Sequence, residues 1–160
     1  MIRLYMTTSL DGFVAGPDDR PGQELGRGGG RLFDWLDHRH GDGASGQIYR
    51  EALATGVPIH VLTHHVDPAD TSPGSARFFT DVTAAAEEAR AAAGERAVMV
   101  HGAGAAQALL AAGLLDEIEL HVVPVLLGAG RRLFGDTEAE LELVRRLEDR
   151  DVLHLRYRVR

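Results

Sequence analysis

The stretch Val98-Met-Val-His-Gly-Ala-Gly-Ala-Ala-Gln-Ala-Leu-Leu110 holds the residues best placed to do chemistry. Its pattern predicts a buried strand over 98–100, a turn of small residues (Gly102, Ala103, Gly104) and a helix opening at once over 105–112. A strand that turns through glycines into a helix aims several free backbone N–H groups at one point. The helix dipole adds roughly half a positive charge there. Such a corner seats a phosphate, and the missing side chains let a pyrophosphate approach the backbone. The plainer alternative is that the glycines only make a tight βα turn.

Other side chains are less specific. Arg131 and Arg132 follow a glycine loop and could hold an anionic group, a partner's acids, or only water. His101 precedes the corner glycine and points into a cleft or fills space. Phe33 and Trp35 read as core or cleft wall rather than a stacking platform for bases. A metal site is not expected. On a strand, His60 and His64 share a face about 13 Å apart while His65 points away, and no carboxylate cluster completes a set with them or with His38 and His40. Surface histidine is the better reading of all five.

Composition narrows the partners. The chain has 160 residues and no cysteine, so one domain over residues 1–160 is expected, without disulfides, zinc–thiolate sites or thiol nucleophiles. Net charge is −7 and all 17 basic residues are arginine. An acidic chain without basic clusters argues against nucleic acid, and the lack of lysine removes P-loop and Schiff-base chemistry. Apolar runs fall short of the roughly 18 residues a membrane span needs. The N-terminus enters a strand pattern with no signal-peptide core, so a cytoplasmic protein is expected.

The elements that would hold these residues alternate between strand and helix. Residues 2–8 read as a strand and 9–30 as loop, ending in a mobile run Gly28-Gly29-Gly30. A short helix is expected around Leu32–Leu36, then one capped by Ser45 and closed by Gly56. Residues 57–63 read as a strand and 66–79 as a polar loop. Thr83 is expected to cap an alanine-rich helix ended by Gly94. After the corner come a strand over 117–125, a glycine loop over 126–134, and an antiparallel hairpin of 141–147 and 152–159, with Leu153, Leu155, Tyr157 and Val159 on one face. The pattern describes an α/β domain with a mixed sheet.

Three segments together are specific. Thr8-Ser-Leu-Asp-Gly-Phe-Val-Ala-Gly-Pro-Asp18 resembles the loop after the first strand of the dihydrofolate reductase-like superfamily. Val100-His-Gly-Ala-Gly104, with Leu109-Leu110 and Ala112-Gly-Leu-Leu-Asp-Glu117, resembles the cofactor corner of its riboflavin-biosynthesis reductase (RibD C-terminal) branch. Val123-Pro-Val-Leu-Leu-Gly-Ala-Gly-Arg-Arg-Leu-Phe134 resembles a signature of that branch almost letter for letter.

The resemblance implies a three-layer α/β/α fold with a mixed, mostly parallel sheet and the C-terminal antiparallel hairpin. It also implies NADPH as cofactor and a homodimer. Thr8, Val14 and Ala15 would contact the nicotinamide, Leu62, Thr63 and His64 the adenosine and its 2′-phosphate, and Gly102, Ala103, Gly104 and Ala105 the pyrophosphate. Pro124, Leu126, Gly128 and Arg131 fall on the substrate side, with Asp11 beside them. Asp11 could relay a proton to a reduced substrate, but its commoner use in a turn is to bond backbone N–H groups.

The implied activity is hydride transfer to a C=N or C=O carbon of a small heterocycle, of the 5-amino-6-(5-phosphoribosylamino)uracil reductase type. One departure matters. Relatives carry a strand, a Gly-Arg-x-Thr/Tyr motif and a helix before the strand at Val57, whereas here Ala54-Thr-Gly56 runs straight into Val57-Pro-Ile-His. Loss of an internal strand leaves unpaired backbone on both neighbours. The departure supports two rivals to the reductase: a non-catalytic small-molecule-binding protein of the same fold, or an enzyme that uses the cleft without hydride chemistry.

Overall fold

The computed structural model describes residues 1–53, 57–64 and 76–160. Among these, the largest sheet has five strands in the order β5-β1-β6-β9-β8. They are β1 (Ile2–Ser9), β5 (Val98–Val100), β6 (Glu117–Val123), β8 (Leu141–Asp149) and β9 (Val152–Val159). β1 runs parallel to β5 and β6, whereas β9 runs antiparallel to both β6 and β8. The sheet is therefore mixed, and its antiparallel part is the C-terminal hairpin.

Helices cover both faces. On one side α2 (Val82–Ala93) and α3 (Ala103–Ala111) pack over Ile2, Leu4, Val100 and Ile118, an apolar layer that Leu109 and Leu133 close. On the other side a 3-10 segment (Gly29–His38) and α1 (Ala44–Ala52) bring Leu32, Trp35 and Ile48 against Val123 and Val152. That second face is unusually polar. Strand alternation turns Tyr5, Thr7 and Ser9 of β1 and Glu119 and His121 of β6 toward it. Thr7, Ser9, Glu119, His121 and His154 are all buried. Leu155, Tyr157 and Val159 of the hairpin take the opposite, apolar face, where Tyr157 and Val159 pack on the first cluster.

Two strand pairs lie outside this sheet. β2 (Phe13–Ala15) pairs antiparallel with β7 (Arg131–Arg132), which ties the loop after β1 to the glycine loop. β3 (Ile59–Leu62) pairs parallel with β4 (Ala76–Phe79). Among the described residues β5 pairs only with β1, and β3 only with β4. Loss of an intervening strand leaves edges of this kind.

Several local expectations are corrected. Ser45 does not cap α1. Gly43 occupies the N-cap, and Asp149 Oδ2, from the turn of the hairpin, accepts the Ser45 N–H at 2.8 Å. The Ser45 hydroxyl turns inward instead, 3.3 Å from His154 Nε2. Thr83 gives way to Asp81, whose carboxylate accepts the Ala84 N–H at 2.7 Å. An aspartate two residues earlier reaches the first-turn N–H groups that a threonine inside the helix cannot.

Residues 76–79, read as loop, form β4 because Phe78 and Phe79 gain a partner strand that local sequence does not reveal. The glycine run opens the 3-10 segment, with Gly30 exposed and nothing within 4 Å of an added Cβ there. Gly28 takes φ 78° at the N-cap of the 3-10 segment, and Gly29 is buried. Gly56, as the end of α1, His65 and residues 66–75 of the polar stretch expected over 66–79 fall outside the described residues.

Candidate active site

A cleft of about 520 Å³ opens where the polar face of the sheet meets α1 and the 3-10 segment. Tyr5 and Thr7 of β1 form its floor, and Phe33 and Trp35 one wall. Tyr49 of α1 and Leu53 at its end also line it, as do Met99, His101 and Gly102 where β5 runs into α3. Among the described residues, no charged side chain lines it. The Trp35 indole is fixed by its Nε1–H, which donates to Thr7 Oγ1 at 3.1 Å. The Tyr5 ring meets His101 edge-on at 5.8 Å between centroids and His121 at 4.3 Å.

Beside the floor, on the same face of the sheet, lies a charged layer. Glu119 is buried and holds two guanidiniums, Arg145 Nη2 at 2.7 Å and Arg156 Nη2 at 2.6 Å, while Glu51 of α1 accepts from Arg145 at 2.8 Å. Burial raises the Tyr5 phenol pKa, and the Glu119 and Glu51 carboxylates raise it further, so the hydroxyl stays protonated. Packing around the His101 ring lowers its pKa, which a hydrogen bond to the Tyr5 backbone partly offsets.

Gly102 belongs to two features at once: it lines the cleft, and it is the N-cap of α3. Its φ of 93° is one that L side chains rarely adopt. A Cβ added at Gly102 or Gly104 would meet no atom within 4 Å, so the corner stands open. Among the described residues, no side chain caps α3, and no acidic residue sits in its first turn. The Gly102 N–H donates to Met6 Sδ at 3.2 Å, and the first-turn N–H groups of α3 with the positive end of the helix suit an anion.

The other expected site residues lie elsewhere. Thr8, Val14 and Ala15 are buried and do not line the cleft. Leu62, Thr63 and His64 lie at the end of β3, on the separate strand pair. Asp11 straps the glycine loop: its Oδ2 accepts the Gly128 N–H at 2.7 Å and its Oδ1 the Leu127 N–H at 3.2 Å. The Ser9 hydroxyl first, then these two N–H groups, hold the Asp11 carboxyl down to about 2. Pro124 and Leu126 are exposed, and Arg131 pairs with Asp19 at 2.5 Å. Of all these, only Gly102 reaches the cleft.

Tyr5, Thr7, Tyr49 and Met99 line the cleft and were not singled out by the sequence. One signal was available: Tyr5 and Thr7 share strand parity, as do Glu119 and His121 on the neighbouring strand, which marks a polar face toward the helices.

With the geometry in hand, comparison with known proteins identifies the family. Residues 47–157 match the RibD C-terminal domain. The chain belongs to that family. No curated protein sequence gives a significant match. Among solved structures, a Shewanella sp. PV-4 protein ascribed to riboflavin biosynthesis superposes with a TM-score of 0.68 at 16% identity, covering 99% of this chain and 98% of that one. The riboflavin biosynthesis reductase of Saccharomyces cerevisiae gives 0.59 at 14% identity over 100% and 88%. The Thermotoga maritima deaminase/5-amino-6-(5-phosphoribosylamino)uracil reductase gives 0.62 at 12%, and this chain spans 56% of its length. These likenesses establish a RibD-like, dihydrofolate reductase-type α/β fold.

Proposed function

We propose that the protein is an NADPH-dependent reductase acting on a small heterocyclic substrate, as a single domain over residues 1–160, cytoplasmic and homodimeric. One observation carries the reading. Gly102 is shared by the open helix corner and the aromatic cleft, so a dinucleotide seated at the corner can bring its reacting ring into the cleft.

NADPH, when bound, supplies the hydride. The chain supplies position. Gly102, Ala103, Gly104 and Ala105 would hold the pyrophosphate, chiefly through the first-turn N–H groups of α3, and Thr8, Val14 and Ala15 would border the nicotinamide. Leu62, Thr63 and His64 would lie toward the adenosine. Hydride transfer asks little more of a protein than holding two rings in register. Asp11 is charged at any working pH and acts as a positioning residue that keeps the loop bearing Pro124, Leu126, Gly128 and Arg131 against β2.

Titration with NADPH, followed by nicotinamide fluorescence, tests the reading. Saturable binding is expected, and no binding at millimolar cofactor would end it. The rival is a non-catalytic binding protein of the same fold. The unpaired edges of β5 and β3 among the described residues favour it, because they mark the place where relatives carry further cofactor-binding backbone.

A further inference from the structure

The cleft gives a more specific account of its ligand than the family does. Its lining is rich in aromatic side chains: Tyr5, Phe33, Trp35 and Tyr49. Such surfaces suit a flat ring, which they desolvate and hold by stacking or edge contacts. Polar side chains in the lining are few and neutral: Tyr5, Tyr49, His101 and Thr7, whose hydroxyl already accepts from Trp35. These can meet the N–H and C=O edge of a heterocycle.

A phosphate is another matter. It brings nearly two negative charges, and burying them without a cation is costly. Among the described residues no arginine lines the cleft, and the chain has no lysine. Residues 54–56 and 65–75 contain neither arginine nor lysine. The two guanidiniums beside the floor, Arg145 and Arg156, are already committed to Glu119 and Glu51. Arg39, at the end of the 3-10 segment, donates to the Leu36 carbonyl at 2.7 Å. At Tyr5 the Glu119 and Glu51 carboxylates each act more strongly than the opposing Arg145 guanidinium, so this network offers a phosphate no surplus positive charge. The anion-binding corner at α3 is reserved, on the reductase reading, for the cofactor.

We infer that the cleft takes a flat, uncharged heteroaromatic ring that carries no phosphate. This rests on the reductase reading of the site and parts from the phosphoribosyl substrate named for the Thermotoga maritima relative.

Trp35 is the only tryptophan of the chain and lies in the cleft wall, so its fluorescence reports occupancy directly. The probes are 5,6-diaminouracil and 5-amino-6-(5-phosphoribosylamino)uracil, each titrated with and without NADPH. The bare ring is expected to quench Trp35 saturably, and the phosphorylated compound to bind more weakly, by about tenfold. Equal or tighter binding of the phosphorylated compound, or no response to the bare ring at millimolar concentration, would overturn the inference. Leu53→Arg, at an exposed position on the cleft rim, should strengthen binding of the phosphorylated compound alone. No gain there would remove the electrostatic basis of the argument. The NADPH arm is read separately through nicotinamide fluorescence. Ring binding without NADPH binding sinks the reductase but not the ligand class, and NADPH binding without ring binding does the reverse.

Discussion

The Nδ1 atoms of His121 and His154 lie 2.8 Å apart inside the protein. At that distance one ring must carry a proton on Nδ1 and the other a lone pair. His154 Nε2 meets the Ser45 hydroxyl, whereas His121 Nε2 is buried with no hydrogen-bond partner among the described residues. Trp35 packs on both rings, at 4.8 and 5.2 Å between centroids, so the pair sits directly behind the cleft wall. A second proton would put two positive charges in contact with little water to screen them.

Stability should therefore depend on pH near neutrality. Burial lowers both imidazole pKa values; His154 adds to the effect on His121, while Asp149 and Glu119 partly offset it at His154. With folded values below the ordinary one, the unfolded chain binds more protons in the interval between them. Stability is then full above about pH 6.5 and is lost as pH falls below it, at up to about 1.4 kcal/mol per pH unit for each histidine. Urea midpoints measured from pH 8 to pH 5 check this. They should be flat above about pH 7 and fall below about 6.5, and a midpoint unchanged down to pH 5 would contradict it.

The turn of the C-terminal hairpin fixes α1 from a distance. Asp149→Ala removes the carboxylate that accepts the Ser45 N–H and should destabilise the protein by about 1 kcal/mol, with Asn at the same position losing less. The Ser45 and Arg150 backbone N–H groups hold the Asp149 pKa below the ordinary carboxylate value. Its contribution is thus present above about pH 4 and is lost as pH falls through the lowered pKa. Denaturant melts of the three proteins at pH 7 and pH 3 test both statements. The gap between the Asp149→Ala variant and its parent should shrink at the lower pH.

How far the sequence could be read follows from which interactions are local. The 98–110 corner was legible because a strand, two glycines and an alanine helix each signal within a few residues. β1 and the hairpin were legible from alternation. Local signals could not show that Asp149 would cap a helix starting about a hundred positions earlier, or that residues 76–79 would find β3. They also could not show that Asp11 would reach Leu127 and Gly128. The cleft was hidden for the same reason. Its residues come from β1, the 3-10 segment, α1 and the end of β5, and only the fold brings them together.

The buried charge layer should tolerate no loss of its centre. Glu119→Ala leaves Arg145 and Arg156 with Glu51 alone, and Glu51 is more exposed. Removing one member of a buried ion pair costs about 3–5 kcal/mol. Chemical denaturation should show that loss, whereas Glu142→Ala, whose ion pairs with Arg158 and Arg160 lie at the surface, should cost about 0–1 kcal/mol. Equal effects of the two substitutions would show that the Glu119 network is not a buried one in solution.

Asp11 offers a test of position against proton transfer. Its carboxyl is held down to about 2, so an acid role would require a proton it does not carry at neutral pH. Asp11→Asn should weaken substrate binding through a looser glycine loop, and raise KM more than it lowers kcat. The pH–rate profile above about pH 4 should keep its shape. Loss of the acidic limb of that profile in the variant would instead assign Asp11 to proton transfer.

Gly102 and Gly113 bracket α3 with positive φ, 93° and 66°, and an added Cβ meets no atom within 4 Å at either. Alanine at each should therefore cost stability through backbone strain alone, more at Gly102, whose φ 93° and ψ 139° lie outside the left-handed helical region. Their surroundings differ. Gly102 lines the aromatic cleft, whereas Gly113 borders a separate hollow where Arg90 is paired with Asp116. If the corner seats a pyrophosphate, a methyl group at Gly102 occupies the approach of the phosphate oxygens to the backbone. Gly102→Ala should then lower NADPH affinity by about tenfold or more, and Gly113→Ala should leave it unchanged. Matched thermal melts separate the shared stability cost from the cofactor effect. Equal NADPH affinity in the two variants would remove the corner from the binding site while leaving its role as a βα turn intact.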